Sequence, residues 1–272
     1  MELYLQVLVF VFGLLIGSFL NVVLYRMHTG VSLSGHSHCL SCGTRLRAID
    51  LVPLFSYLAL RARCRSCKAF IPPRYFVVEL LTACLFVWVW TTFSDLVVVL
   101  LSLVLISLLM VITVYDIRHT IIPDELTIMV GVGVLVLSGY QFYAGDITLE
   151  ALGLRLVGAL LATAFFAILW GASKGRWMGF GDVKLVFPLA LMLGLSGTFT
   201  LIVLAFWIGA AISLVLMALG WLLGRVNAIT ALRLPPVTLK SEVPFAPFLI
   251  TAWLLVYLAG VDILNIFSYG LL

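Results

Sequence analysis

Six side chains have the type and spacing to do chemistry: Cys39, Cys42, Cys64 and Cys67, and the aspartates Asp116 and Asp182. The cysteines fall in Cys39-Leu-Ser-Cys42 and Cys64-Arg-Ser-Cys67. Two residues between thiols let each pair meet one tetrahedral ion, and Gly43 follows the first pair as in many zinc knuckles. A structural Zn²⁺ held by four thiolates suits a loop too small for its own core. A redox pair or free thiols are the alternatives. Neighbouring Arg45, Arg63 and Arg65 favour the thiolate form. His36 and His38 could substitute as ligands, but four cysteines complete such a site, so both are read as solvated. Cys84, inside an apolar run, is read as a small core residue.

The aspartates sit at the edges of apolar runs, in Val114-Tyr115-Asp116-Ile117-Arg118 and Met178-Gly179-Phe180-Gly181-Asp182-Val183-Lys184. Burying a carboxylate at a membrane boundary is costly, which makes each a functional candidate. Two carboxylates at one depth can share a proton, one acting as base on a water while the other polarises a scissile carbonyl. Gly179 and Gly181 remove bulk where a substrate backbone would approach. Their Gly-x-Gly is not a phosphate loop, having neither a third glycine nor a preceding strand. Taken singly, either aspartate also reads as an interfacial helix cap. Asp124, which with Glu125 follows Pro123 at a helix start, is the rival to Asp116. Glu79 pairs with a basic loop residue, faces a polar cavity, or snorkels.

The elements that must hold these groups follow from composition. Of 272 residues, 64% are hydrophobic and 10% charged, with mean hydropathy +1.23. Soluble domains run near half apolar and a quarter charged, so a soluble globule, a disordered chain and a secreted disulfide scaffold are excluded. What remains is an all-α polytopic membrane protein. A span needs about 20 apolar residues, and runs near 4–25, 74–93, 96–115, 123–143, 151–173, 183–195, 198–223 and 245–267 predict eight. Seven is the alternative, because Ser196-Gly197 marks a weak boundary. The first run is not read as a cleaved signal, since Glu2 and no cation precedes it.

The net charge of +4 suggests nucleic acid until the cations are placed. With eight spans, 15 of the 16 Lys and Arg fall in loops on one side, leaving only Arg155. The positive-inside rule puts those loops in the cytoplasm and both termini outside. The expected organisation is a first transmembrane helix (1–25), a cytoplasmic cysteine loop (26–73) and a helical membrane core (74–272).

These residues resemble the bacterial type IV prepilin leader peptidase and N-methyltransferase family, membrane aspartic proteases of the Gly-x-Gly-Asp kind. The resemblance rests on Gly17-Ser18-Phe19-Leu20-Asn21-Val22-Val23-Leu24-Tyr25-Arg26, the two cysteine pairs, Pro53 to Tyr57, and Arg74 through Glu79 to Thr82. It continues through Asp116, Ile122-Pro123-Asp124 and the stretch from Gly179 to Leu185. It implies an inner-membrane endopeptidase that removes short basic leaders from prepilins or pseudopilins at the cytoplasmic face. Asp116 and Asp182 would be catalytic, supported by Gly179, Gly181 and Lys184. It also implies N-methylation of the new amino terminus with S-adenosylmethionine, for which Gly17, Asn21, Arg26 and Glu79 are the candidate residues. Ala62, where the family often has Gly, and Met27-His28, where Leu-Pro is commoner, depart from the pattern. The partners implied are prepilins and the lipid bilayer, with no nucleic acid. A peptidase without methyltransferase activity is the first alternative. A proton-coupled transporter is the second, disfavoured because the acids lie at the boundary and no repeat is visible.

Overall fold

The computed structural model describes residues 2–30, 32, 34–225 and 244–264. The loop carrying Arg233 and Lys240 and the end of the expected eighth span lie outside them. The helices are α1 (Glu2–Thr29), a short α2 (Phe55–Ala59), α3 (Arg74–Thr92), α4 (Leu96–His119), α5 (Asp124–Ala144), α6 (Leu149–Ser173), α7 (Phe180–Leu191), α8 (Gly194–Arg225) and α9 (Ala246–Ala259). A helix therefore stands at each of the eight expected spans. Six of them are long and apolar enough to cross a membrane; α7 and α9 are shorter. The chain forms two compact units, Met1–Val111 and Ile112–Leu272.

In the first unit α1 packs on α3 through glycines. A Cβ on Gly13 would lie 2.6 Å from the Cα of Ala83, and one on Gly17 would lie 2.7 Å from the Cα of Glu79. Small residues spaced i, i+4 bring helix backbones together in lipid, where packing rather than the hydrophobic effect drives association. Cys84 faces outward from α3, not into the core as expected. The α3 residues buried against a neighbour are Val78, Glu79, Thr82, Ala83, Phe86 and Val89, and Cys84 lies off that face.

The second unit is built around α7, which packs against α5, α6, α8 and α9. Eight of its twelve residues are buried, including Asp182, Leu185, Val186 and Leu189. Twelve residues rise about 18 Å, short of the roughly 30 Å hydrocarbon core. The expected span 183–195 therefore ends early, because Leu191 closes α7 and Gly194, at φ +73°, starts the long α8. A helix end inside protein must have its last carbonyls satisfied by neighbours. Trp253 Nε1 donates to the Leu189 carbonyl at 3.0 Å and Thr198 Oγ1 to that of Ala190 at 3.3 Å. Arg155, the one cation outside the basic loops, donates to Gln141 Oε1 at 3.1 Å.

Candidate active site

Asp116 occupies the last turn of α4, closed by the Thr120 amide donating to the Asp116 carbonyl at 2.8 Å. Asp182 is the third residue of α7, whose N-cap is Gly179. Both are buried, at 5% and 6% exposure. The Asp182 carboxylate accepts the Gly179 amide, so it reaches back to its own N-cap as the acid of a capping box does. The Asp116 carboxylate accepts the amide of Ala246, first residue of α9. Each acid is thus steadied by an amide at a helix start, where unpaired N–H groups and the helix dipole favour an anion.

Capping accounts for half of each carboxylate. Asp116 Oδ2 and Asp182 Oδ1 are buried with no hydrogen-bond partner, and among the described residues no other side-chain oxygen or nitrogen is so placed. The two groups are near enough for the charge of Asp116 to act on Asp182. An unmade hydrogen bond on a buried polar atom costs about 1–3 kcal/mol. Each of these two atoms is left open to a hydrogen-bond donor from outside the fold.

The neighbouring candidates have other partners. Asp124, the rival to Asp116, is exposed and paired with Lys184, whose ammonium lies 5.4 Å from the Phe180 ring centroid. That ion pair ties the start of α5 to the start of α7. A Cβ on Gly181 would meet the Ile122 side chain at 2.9 Å, whereas one on Gly179 would meet no atom closer than 3.7 Å. The missing side chain of Gly181 therefore makes room for Ile122, whereas the sequence suggests clearance for a substrate backbone. A Cβ on Gly179 would make ordinary contacts, with Asp182 Oδ2 at 3.7 Å and Gly181 N at 3.9 Å.

In the first unit the four cysteine sulfurs lie within 4.8 Å of one another, with none in a disulfide. Four thiolates about 2.3 Å from one ion would stand about 3.8 Å apart, and Cys39 Sγ and Cys67 Sγ are 3.8 Å apart. The two Cys-x-x-Cys turns share one design. In the first, Cys39 N donates to the Thr44 carbonyl and Gly43 N to that of Cys39. In the second, Cys64 N donates to the Ala69 carbonyl and Lys68 N to that of Cys64. The residue after each pair turns left-handed, Gly43 at φ +71° and Lys68 at φ +62°. The Thr44 hydroxyl and amide hold the Cys42 thiol down to about 6, and the Cys67 and Ser66 amides lower Cys64. Cys67, despite the pull of the Ala69 amide, is pushed up to about 11, the crowding of the neighbouring thiols opposing its charge. A cation at the centre would relieve that crowding. The donor set and spacing fit a tetrahedral metal. His36 stays out of it, its Nδ1 lying 2.8 Å from Arg45 Nη2.

Comparison with known proteins matches residues 11–93 to the Bacterial Peptidase A24 N-terminal domain and residues 103–214 to the Type IV leader peptidase family. The chain is 31% identical to a prepilin leader peptidase/N-methyltransferase of Dichelobacter nodosus, over 95% of this chain and 93% of that one. It is 32% identical to one from Aeromonas hydrophila, over 91% and 88% of the two chains. The chain belongs to the type IV leader peptidase family. A relative in Bacillus subtilis (strain 168) is 29% identical over 96% of both chains. No solved structure matches.

The stretch matched by the leader peptidase family holds both Asp116 and Asp182, and the N-terminal match holds the cysteine loop and a second cavity. That cavity lies where α1 and α3 meet the loop, and its lining includes Asn21, Tyr25, Arg26, Tyr57, Tyr75 and Glu79. Three of the four residues singled out in sequence thus share one wall, while Gly17 lies behind it against the Glu79 backbone. Glu79 does not pair with a basic residue; its Oε2 accepts the Leu54 amide at 2.9 Å, with Ser18 also bonded to it. Asn21 donates to the Tyr75 carbonyl at 3.2 Å and Arg26 to that of Ser32 at 2.9 Å. The groups that sequence reasoning missed are backbone donors, the amides of Ala246, Gly179 and Leu54. A signal existed for Ala246, because Pro247 follows it and proline favours the first turn of a helix.

Proposed function

We propose that this chain is a membrane aspartic endopeptidase that removes the leader of prepilins and N-methylates the new amino terminus. The observation that carries it is the pair of buried, unpartnered oxygens, Asp116 Oδ2 and Asp182 Oδ1, within the leader peptidase region of the chain. One carboxylate takes a proton from a water held between the two, and that water attacks the scissile carbonyl. The other, protonated, donates to the carbonyl oxygen as it becomes tetrahedral. A proton then passes to the leaving amine as the bond breaks. The Ala246 and Gly179 amides keep both carboxylates from turning away, so the site is set before substrate arrives.

The α1–α3 cavity is the proposed methylation site. Arg26 and Glu79 are buried charges whose main-chain partners hold them at its wall, and the aromatic rings of Tyr25, Tyr57 and Tyr75 suit a flat, cationic ligand. S-adenosylmethionine supplies an electrophilic methyl group when bound there; the chain's own residues orient it and exclude water. Cys39, Cys42, Cys64 and Cys67 would hold a structural Zn²⁺, which supplies folding energy to the loop. By the cation distribution, both termini lie outside and the aspartates and cysteine loop face the cytoplasm of the bacterial inner membrane.

The test is leader removal from a co-expressed prepilin, followed by gel shift, with Asp116→Ala and Asp182→Ala. Both should leave the leader in place; normal processing in both overturns the reading. Metal analysis of the purified protein should find one zinc per chain.

A further inference from the structure

The cysteine loop carries an apolar stripe that the chemistry above does not use. Ile49, Val52, Phe55 and Leu58 recur every third residue, from the turn before α2 through α2 itself. All four are exposed, Phe55 at 70% and Leu58 at 61%. The other face of α2 is committed, since Ser56, Tyr57 and Leu60 line the α1–α3 cavity. A helix facing water would carry polar groups on its outer side, so a contiguous apolar stripe there marks a contact surface. The stripe ends in charge. Arg61, three residues after Leu58, shares an open pocket of about 580 Å³ with Arg63 and Lys68, and no acid lines it. Arg65 is paired with Asp50, but those three cations have no ion-pair partner among the described residues.

Depth decides what covers this surface. The membrane-crossing helix α3 opens at Arg74, its only cation, and such cations mark the boundary of a span. The Tyr57 ring packs 5.4 Å from that of Phe76, and the Leu54 amide donates to Glu79 at 2.9 Å. At 1.5 Å per residue, Phe76 and Glu79 lie about 3 and 8 Å along α3 from Arg74. α2 is therefore held against the first turns of α3, near the depth of about 5–10 Å at which interfacial helices bury an apolar face. Lys68 is six residues from Arg74, so at most about 20 Å of chain separates the basic pocket from that boundary.

We propose that α2 is an interfacial anchor, with Phe55 and Leu58 inserted among lipid chains and Arg61, Arg63 and Lys68 holding the headgroup of an anionic phospholipid. Guanidinium and ammonium groups pair with phosphate through charge-assisted hydrogen bonds. A membrane surface offers apolar and anionic contacts side by side, which a free phosphate does not. Because α2 turns one face to lipid and the other to the α1–α3 cavity, the same contact steadies a wall of that cavity. The proposal stands apart from the leader-removal chemistry.

The experiment uses the full chain in nanodiscs of phosphatidylcholine, with or without one-third phosphatidylglycerol. Amide exchange across residues 55–63 should slow in the anionic discs by on the order of 100-fold, about fivefold for each of the three cations. The difference should fade in concentrated salt, which shortens the reach of surface charge. Arg61→Gln, Arg63→Gln and Lys68→Gln together should abolish it, while Phe55→Ser with Leu58→Ser should speed exchange in both discs. If the stripe variant unfolds the loop, the cation variant decides, since its three side chains are exposed. Benzoylphenylalanine at position 55 should cross-link to lipid. Equal exchange in the two discs, a difference that the cation variant keeps, or cross-links to protein in place of lipid would overturn the proposal. Inorganic phosphate that reproduces the slowing in phosphatidylcholine discs would overturn it too, making the pocket a site for a free anion.

Discussion

Glu79 and the pair Asp116 and Asp182 are carboxylates buried to nearly the same degree, at 8%, 5% and 6% exposure. Their surroundings differ. Glu79 is met by the Leu54 amide and the Ser18 hydroxyl, so its charge anchors the loop to α3. Asp116 and Asp182 each receive one amide and keep one oxygen bare. Burial alone therefore does not separate an acid that anchors a wall from an acid free to exchange a proton. The bare oxygens of Asp116 and Asp182 make that distinction here, and the proposed peptidase chemistry rests on them.

That contrast can be broken in several ways. The largest effect belongs to the loop that Glu79 anchors. Stripping the metal with a chelator, or Cys64→Ser, should remove a site worth about 10–16 kcal/mol in comparable zinc peptides. Amide exchange across residues 36–70 should become fast, and metal analysis should fall to zero. Next come Asp116→Asn and Asp182→Asn, which keep the shape and remove the acid. Leader removal should drop by about 10²–10⁴-fold with thermal stability held or raised, since a buried charge is lost. A melting temperature that falls with activity would make these acids structural and erase the contrast.

Glu79→Gln should do the reverse. Gln still accepts the Leu54 amide but without the charge that strengthens the bond, a difference of about 1 kcal/mol, so the melting transition should drop slightly and methylation with it, while leader removal continues. The smallest effect is Asp124→Ala. Its ion pair with Lys184 is exposed, and such pairs contribute about 0–1 kcal/mol. Processing should stay close to native. A loss as deep as that of Asp116→Asn would restore Asp124 as the rival acid.

Much of this was legible in the sequence because charge is scarce. Twelve acids in 272 residues leave few that can sit at a helix edge, and Asp116 and Asp182 stand out on type and position. The two Cys-x-x-Cys pairs were legible because ligand spacing is local, and eight apolar runs became eight helices. What was hidden depends on contacts across the chain. The early end of α7 is set by Trp253 and Thr198, which cap it from 64 and 8 residues away. Gly181 looked like a clearance for substrate because its neighbour Ile122 lies in another segment. The Leu54 amide carries no residue signature, since every residue but proline has one.

The central claim is that Asp116 and Asp182 act as one unit. The direct measurement is single-turnover leader removal by Asp116→Asn, Asp182→Asn and the double variant, in nanodiscs at equal protein. Residues that work as a unit are grossly non-additive. The double variant should then be no slower than either single one, all three resting at the same residual rate. Losses that multiply in the double variant, or one single variant that still processes at the native rate, would contradict the pair.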